Sequence, residues 1–531
     1  MYKNYLWAVV SGLFLAFSWP TYGFSLLIFI AFVPLLYAEN QIRNSSSKRK
    51  GWYTFSISYL AFIIWNIITT WWIWNATSFG SIFAILVNTL LMSMVFQFYH
   101  WIARRKSMRF SLIFLAAFWI AFEKFHHNWD FSWPWLTLGN VFSEHIRWIQ
   151  WYEITGIFGG SLWILLVNML IFSGWLQYKE NGSKKLLYQK LLLGISIIAL
   201  GISISMYRYE TYRENGISMT AVVIQPNTDP YTEKYHRSNE EIAQELITLA
   251  EPQMDAEVSY VLAPETVFSN RITYEDFLRT SAFQKLIQFE IQHPNATFLS
   301  GIDSYNIYPA SIPKTPTGNR FTDSDLAWYE SYNAAIYITL NQHPEMYHKS
   351  KLVVGVEHFP FRSVLEPLLG NAMLDLGGSI STLTPQKSPT NFKHPQSALN
   401  AAPIICYESI YGEHVGKYVQ KGANFLAIIT NDSWWGNTQG HKQLLSYARL
   451  RAIEHRRAIA RSANSGISAF INQKGEILKT LPYETQGALK GTLLANEHIT
   501  FYTKYGDFIA RIAALVAGLF LLVGFFVKVK K

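Results

Sequence analysis

One cysteine, Cys406, stands in the stretch Ala402-Pro-Ile-Ile-Cys-Tyr-Glu-Ser-Ile-Tyr411, where a short apolar run gives way to a polar turn. A nucleophile can be presented at such a place, and a thiol reacts near neutral pH only with a base or a cation beside it. Two more apolar runs end on groups of that kind. Glu265 closes Val261-Leu-Ala-Pro-Glu-Thr266, and Lys349 stands in Tyr347-His-Lys-Ser-Lys-Leu-Val353. A carboxylate can take the thiol proton and later give it to a leaving group, while an ammonium can hold the oxyanion of a tetrahedral intermediate. By spacing alone, a packed cysteine and two solvated ion-pair partners fit the same residues.

The elements that must position these groups lie in the second half of the chain. From residue 219 short β-rich runs alternate with amphipathic helices, which argues an α/β domain. Strands are expected near 221–225, 259–263, 297–301, 334–340, 403–406, 425–430 and 467–471. A helix starts at Ser238, whose spacing to Glu241 makes a capping box, and buries Ile242, Leu246 and Leu249. Two more helices are expected over 275–292 and 443–460. The stretches 304–331 and 355–400 read as irregular. The second carries Phe359, Phe361, Leu365, Leu368, Leu369, Met373 and Leu374, an apolar loop suited either to lipid contact or to a local mini-core.

Half of the 531 residues are hydrophobic, too many for an ordinary soluble chain. Apolar runs long enough to span a bilayer fall near 5–18, 23–38, 53–74, 80–103, 108–123, 154–177, 191–207 and 507–527, so eight transmembrane helices are expected. Ser18-Trp19-Pro20 after the first run offers no small-residue cleavage site, which favours a retained helix over a signal peptide. The expected organisation is a transmembrane domain over 1–207, a catalytic domain over 208–505 and a last helix over 506–531.

The formal charge is +9, but the basic residues cluster between apolar runs and not on a soluble face, which argues against nucleic acid. Lys48-Arg49-Lys50, Arg104-Arg105-Lys106 with Arg109, Lys179 with Lys184 and Lys185, and Lys528, Lys530 and Lys531 all fall on one side if eight helices alternate. The loops 19–22 and 75–79 carry no lysine or arginine, and 124–153 carries only Lys124 and Arg147. Both termini are then cytoplasmic and residues 208–505 lie outside, on the periplasmic face of a bacterial membrane.

Asn66, Asn88 and Asn168 fall inside expected spans, where helix-to-helix hydrogen bonding is favoured over a substrate path. No charged residue is expected deep in a span, which weighs against a transporter or receptor. The tryptophan-rich loop over 129–135 and 148–151 suits an interfacial belt or a lipid-facing entrance. The lone cysteine excludes an intramolecular disulfide. No His/Cys cluster has ligand spacing, so neither a metal nor another cofactor is expected.

Pro264-Glu265, Lys349 and Ile405-Cys406-Tyr407-Glu408 resemble the Glu-Lys-Cys triad of the nitrilase superfamily, whose domain is an α-β-β-α sandwich. The likeness extends to a membrane family within it, the apolipoprotein N-acyltransferases. Ile224-Gln-Pro-Asn227, Asn431-Asp-Ser-Trp-Trp-Gly436, Arg449-Leu-Arg-Ala-Ile-Glu454 and Asn464-Ser-Gly-Ile-Ser468 resemble motifs of that family, as do Trp133-Pro134-Trp135 and Thr155-Gly-Ile-Phe-Gly-Gly-Ser161 with Asn168 in the membrane half. Three departures stand out. Leu352-Val-Val-Gly-Val-Glu357 replaces the usual Leu-Val-Pro-Phe-Gly-Glu, Leu444 stands where histidine is common, and Asn472 where aspartate is.

The resemblance implies Glu265 as general base, Lys349 as oxyanion stabiliser and Cys406 as nucleophile. Glu357 and Glu408 would orient Lys349 and the cysteine loop, with Tyr407 beside an acyl-enzyme. Trp434 and Trp435 would line an acyl pocket or pack beneath the cysteine loop, and Arg449, Arg451 and Glu454 would form a buried network. The implied reaction moves an acyl group from a phospholipid through a thioester to the N-terminal S-diacylglyceryl-cysteine of an apolipoprotein, in a monomer of the bacterial inner membrane without a cofactor. The apolar loop 355–376 would serve as its lid. A membrane-tethered amidase or nitrilase acting on a small periplasmic substrate would share the triad without needing eight helices.

Overall fold

The computed structural model describes residues 2–321, 324–361 and 382–526. Most of the expected lid and the basic tail, Lys528, Lys530 and Lys531, lie outside the described residues. The chain divides into two compact units, Met1–Tyr212 with Tyr505–Lys531, and Arg213–Lys504.

In the first unit the apolar runs form helices α1 (Tyr2–Phe17), α2 (Val33–Asn44), α3 (Lys50–Thr70), α4 (Ser78–Ala103), α5 (Met108–His126), α6 (Ile157–Asn181) and α7 (Lys184–Thr211), followed at the chain's end by Phe508–Phe526. Side-chain caps begin three of them. The Thr77, Ser107 and Ser183 hydroxyls accept from the Gly80, Phe110 and Leu186 amides at the starts of α4, α5 and α7. By length and composition, six segments among the described residues can cross a membrane: Ser25–Asn44, Lys50–Asn75, Ser78–Ala103, Ile157–Asn181, Lys184–Thr211 and Phe508–Phe526. The expected count of eight is not confirmed by that measure. Helix α1 has only 16 residues, and α5 has 19 but carries Arg109, Glu123 and Lys124 near its ends.

Helix α2 runs past the expected end at residue 38 and takes Glu39 into the interior of the unit. Glu39 is fully satisfied there. Its carboxylate accepts from the Arg43 Nε at 3.1 Å and lies 2.7 Å from the His100 Nδ1, tying α2 to α4. On α5, buried Glu123 accepts from the Trp119 indole at 3.1 Å and from the Leu138 amide at 2.8 Å. These carboxylates close helix and loop ends.

The aromatic loop folds inward, with Trp135 fully buried and its ring 4.8 Å from that of Trp72. Among the asparagines, Asn88 donates to the Asn66 side chain at 2.7 Å across α4 and α3. Asn168 on α6 accepts from the Phe32 amide at 2.9 Å and donates to the Ile28 carbonyl at 2.8 Å, where the chain breaks before α2.

The second unit is built on two sheets. Strands β1 (Ile217–Gln225), β2 (Val258–Leu262), β3 (Phe268–Ile272), β4 (Thr297–Pro309), β5 (Asn319–Phe321), β6 (Ser324–Ile338), β7 (Glu345–His348) and β14 (Gly487–Ala495) form the first, in the path β14-β1-β2-β4-β6-β5 with β3 on β4 and β7 on β6. The second runs β13-β12-β11-β10-β9-β8, from Ile477–Leu481, Ser468–Ile471, Ile459–Ala463, Phe425–Thr430, Asn400–Ile405 and Phe392–Lys393. Central strands β9 and β10 pair in parallel and are buried along their whole length, which is why both read as unbroken apolar runs.

The two faces of the first sheet have different partners. Val222, Ile224, Val261, Phe298 and Ile336 pack on the helices α8 (Asn239–Ala250) and α9 (Ser281–Gln292), through Ile242, Leu246, Leu286 and Phe289. From the opposite face the Tyr260 ring meets Phe425 at 4.9 Å and Tyr337 stacks on Phe392 at 5.0 Å, so the sheets lie face to face. Helices α10 (Gly412–Gln420) and α11 (Gln439–His455) accompany the second sheet, giving the α-β-β-α sandwich.

Three expectations change. The stretch 304–331 is largely ordered, because β4 and β6 continue as a long antiparallel pair of mixed polar and aromatic residues, with Tyr308 stacked 4.4 Å from Trp328. The helix expected over 275–292 begins only at Ser281. Thr273 caps a short turn, and Thr280 caps α9. The helix expected to reach 460 ends at His455, where Arg456 turns left-handed at φ 49°, and β11 follows.

Replacing Asn168 by leucine leaves the Phe32 amide without its partner in an apolar interior and takes the 2.8 Å donor from the Ile28 carbonyl, which keeps a longer bond from the Ala31 amide at 3.4 Å. We expect a loss of about 2 kcal/mol, read as a lower thermal midpoint of the full chain in detergent. Asn88→Leu is expected to cost less, because the Asn66 amide keeps its bond to the Phe62 carbonyl.

Candidate active site

Three chain segments at strand ends make the site. After β2 the chain passes through Pro264 and Glu265 into Thr266 at φ 45°, a left-handed turn that a β-branched residue adopts only under constraint. Gly301 on β4 makes the turn possible. Its amide donates to the Pro264 carbonyl at 3.1 Å, and a Cβ there would lie 2.3 Å from the Thr266 nitrogen and 2.6 Å from the Glu265 Cα. After β9, Cys406 is held at φ 50° and opens a short 3-10 turn over Cys406–Ile410. Lys349 follows β7, and its amide donates to the Asn333 carbonyl of β6 at 2.8 Å.

Glu265, Lys349 and Glu357 come together in the interior. The Lys349 ammonium donates to Glu265 Oε1 at 2.8 Å and to Glu357 Oε1 at 2.9 Å, and the lysine side chain is 1% exposed. Asn333 spans the same two oxygens, donating to Glu265 at 2.7 Å and to Glu357 at 2.8 Å. The other Glu265 oxygen accepts from the Asn431 amide at 2.9 Å, and the other Glu357 oxygen from the Val353 amide at 2.8 Å. Glu357 keeps this place despite the altered loop sequence before it.

Glu408 makes a second node. One oxygen accepts from the Tyr347 hydroxyl at 2.6 Å and from the Ser350 amide at 2.6 Å, and the other from the Ile405 amide at 2.9 Å. It thereby ties the lysine loop to the cysteine turn.

The charges follow from this packing. Burial opposes ionisation of Glu265, but the Lys349 ammonium and the Asn333 amide outweigh it and hold the carboxyl below its usual range. Burial alone would lower Lys349, yet Glu265 and Glu357 push it well above the usual lysine value. Burial, reinforced by the Glu265 charge, raises the Cys406 thiol well above its ordinary range, against the opposing pull of Lys349. The resting site is therefore a thiol beside an ion pair.

Tyr407 is buried with its ring 5.3 Å from Tyr411. Trp434 is half-buried, edge-on to Tyr231 at 5.4 Å, and Trp435 is also half-buried. Arg451 and Glu454 form a fully buried ion pair at 2.7 Å, whereas Arg449 turns away and donates to the Gly475 carbonyl at 2.9 Å. Leu444 is buried on α11, and Asn472 caps a turn by accepting from the Lys474 and Glu476 amides. Among the described residues no group of histidines, cysteines and carboxylates is placed to hold a metal ion.

Sequence reasoning passed over Asn333, Asp432, Arg461 and Lys234. Asn333 sits in the middle of a strand with no motif around it. Arg461, expected just past the end of a helix, lies on β11 and donates to Asp432 at 2.7 Å. The single legible cue was Asp432, inside the quoted Asn431-Asp-Ser-Trp-Trp motif.

Gly301→Ala should displace the Glu265 turn and cost about 2–3 kcal/mol, measured by chemical unfolding of the full chain. Glu408 carries a signed pH effect. Its hydrogen bonds overcome burial and hold its carboxyl below the usual 4.5, so its contribution is complete above about that pH and drains away as pH falls through the folded value. Glu408→Gln should lower stability at pH 7 and flatten the acid side of the stability profile.

Two family models match the chain: an apolipoprotein N-acyltransferase N-terminal domain over residues 11–170 and a carbon-nitrogen hydrolase over 304–497. Proteins named apolipoprotein N-acyltransferase resemble it along nearly its whole length. That of Chlorobaculum tepidum is 27% identical, covering 98% of this chain and 96% of its own. That of Geobacter metallireducens is 26% identical, covering 97% and 94%. Among solved structures, a Saccharomyces cerevisiae member of the nitrilase superfamily matches 52% of this chain and 89% of its own at 15% identity and a TM-score of 0.35. A carbon-nitrogen hydrolase from Helicobacter pylori matches 58% and 95% at 12% identity and a TM-score of 0.36. With an apolar helical unit ahead of a carbon-nitrogen hydrolase domain, and relatives of one name over nearly its full length, the chain belongs to the apolipoprotein N-acyltransferase family of acyltransferases.

Proposed function

We propose that this enzyme transfers an acyl chain from a phospholipid to the amino group of the N-terminal S-diacylglyceryl-cysteine of an apolipoprotein, through a thioester on Cys406. The observation that carries the reading is the buried Glu265–Lys349 pair beside a thiol presented at a left-handed turn. In the first half-reaction the sulfur attacks an ester carbonyl of the phospholipid while its proton passes to Glu265. The Lys349 ammonium faces the oxyanion. Collapse breaks the ester C–O bond, Glu265 returns the proton to the departing lysophospholipid oxygen, and the acyl group stays on sulfur.

In the second half the acceptor amine attacks the thioester, Glu265 takes the amine proton, and the thiol is restored as the amide leaves. Glu357 and Glu408 act by position, one holding Lys349 and the other the cysteine turn. Tyr407 borders the acyl group, and Trp434 and Trp435 line the acyl pocket.

The charge pattern of the loops supports a bacterial inner-membrane protein with cytoplasmic termini and its catalytic domain on the periplasmic side. Donor and acceptor are then both lipids of one leaflet, and a monomer suffices for the chemistry.

Intact-mass spectrometry of the purified full chain with phospholipid tests this directly. The expected result is a gain of one fatty acyl group, absent from Cys406→Ala and discharged by a diacylated lipopeptide. No adduct with any phospholipid, with turnover of a small amide instead, would replace the reading by an amidase. Glu265→Gln and Lys349→Met should each slow adduct formation by roughly a hundredfold to ten-thousandfold, the range for a lost general base or oxyanion contact. Because Glu265 is held below the usual 4.5, the wild-type rate should keep its plateau down to about that pH and fall only below it.

A further inference from the structure

Lys234 lies on the loop between β1 and α8, and only 7% of it is exposed. Its ammonium donates to the Thr266 hydroxyl at 2.6 Å, and among the described residues it makes no ion pair. The loop is pinned around it. The Lys234 amide donates to the Asp229 carbonyl at 3.0 Å, and the Ser269 hydroxyl donates to the Lys234 carbonyl. The ammonium stands 5.5 Å from the Trp434 ring centre and 5.7 Å from that of Tyr235. It shares a narrow recess with Glu265, Thr266, Asn431 and Asn464.

A buried ammonium bonded to one neutral hydroxyl is costly unless nearby carboxylates balance it. Those carboxylates belong to the site. Glu265 faces it from the turn after β2, Glu357 from the loop after Lys349, and Asp303 from β4, where Asp303 is itself paired with Arg271 at 3.2 Å. Lys349 is the other cation facing it, and Asp229, Tyr231, Glu233, Tyr235, His236 and Arg237, the last paired with Glu245 at 2.6 Å, are the titratable groups of its own loop. Counting Glu265 and Glu357 against Lys349 alone leaves one negative charge in excess, and Lys234 supplies the missing positive one.

We propose that Lys234 is a positioning residue for Glu265: its ammonium fixes Thr266, and so the left-handed turn that carries the carboxylate, and it balances the charge of Glu265 and the partly buried Glu357. The inference rests on Glu265 acting as the base. The acidic surroundings disfavour direct capture of a phosphate. Burial draws the Lys234 ammonium down while Glu265 supports it, and Lys234 in return favours the ionised carboxylate. Its removal therefore makes Glu265 hold a proton more readily, and the acid limb of any step that needs the ionised base moves to higher pH.

The test compares Lys234→Met and Lys234→Arg with the wild type in the full chain in detergent, with thermal midpoints to verify folding. Acylation of Cys406 is followed from phosphatidylethanolamine in mixed micelles and from a neutral p-nitrophenyl ester, and alkylation by iodoacetamide gives a donor-free probe, each across pH. Lys234→Met is expected to slow both donors about tenfold, to shift the acid limb upward, and to be largely rescued by arginine. Thr266→Val keeps the charge and removes its anchor, and should slow acylation with the limb unmoved, which keeps the test open if the methionine variant does not fold.

Wild-type rates in both variants would overturn the proposal. So would a loss confined to the phosphate-bearing donor, or arginine as slow as methionine with an unshifted limb. If the wild type accepts no acyl group from either donor, the functional reading fails, and the alkylation profile still decides on Lys234.

Discussion

One buried ammonium, that of Lys349, holds the site together. Taking a lysine out of water costs several kcal/mol in practice, and here the cost is met by two carboxylates and by an asparagine that bridges the same two oxygens. The four side chains come from β6, from the loops after β2 and β7, and from residue 357. Losing any one leaves a buried charge or a buried donor unmatched, so the cluster constrains four pieces of chain at once. The cysteine sits beside it without joining the ion pair. Burial and the Glu265 charge keep that thiol protonated at rest.

The sandwich exists to deliver those chain ends. Each sheet is apolar on both faces because helices cover one side and the other sheet covers the second, which fixes strand register and therefore where each strand stops. Beyond the last paired residue the backbone is free to turn, and Thr266 and Cys406 both do so with positive φ. Such turns are strained, and the surroundings hold them in place: the missing Cβ at Gly301 for one, the Glu408 carboxylate for the other. Glu357 also links outward, since its carbonyl accepts from the Leu383 amide at 2.8 Å and Phe359 donates to the Thr382 hydroxyl at 3.3 Å. The chain on either side of residues 362–381 is thus pinned at a residue that bonds Lys349.

The helical unit solves a different problem with the same means. Asn168, Glu39 and Glu123 would be expensive in hydrocarbon, and each closes the backbone or side-chain donors at a helix break or end. Much of both units was legible in the sequence. Long apolar runs, a capping box at Ser238 and β-rich runs ending at Glu265 and Cys406 follow from local periodicity. The helix count was less secure, because spans with a charged end such as Met108–His126 sit between a core helix and a crossing one. Strand β11 was hidden, since Ile459-Ala-Arg-Ser-Ala463 continues a helical composition and only the left-handed turn at Arg456 separates them. The long antiparallel pair of β4 and β6 was hidden too, because polar and aromatic residues outside a core carry no alternation of hydrophobicity.

By itself the sequence determined the class of chain, the segments able to cross a membrane, and the three residue types an acyl transfer needs at the ends of apolar runs, since each depends on neighbours within a few positions. The tertiary structure decided which groups meet. Glu265 and Lys349 are 84 positions apart, and Glu265 and Asn431 are 166 apart, yet each pair is joined by one hydrogen bond. It also decided how Asn333 and Lys234 enter the site, as one sits mid-strand and the other in a loop without a motif. Their places follow from sheet pairing and burial, which no local window of residues encodes.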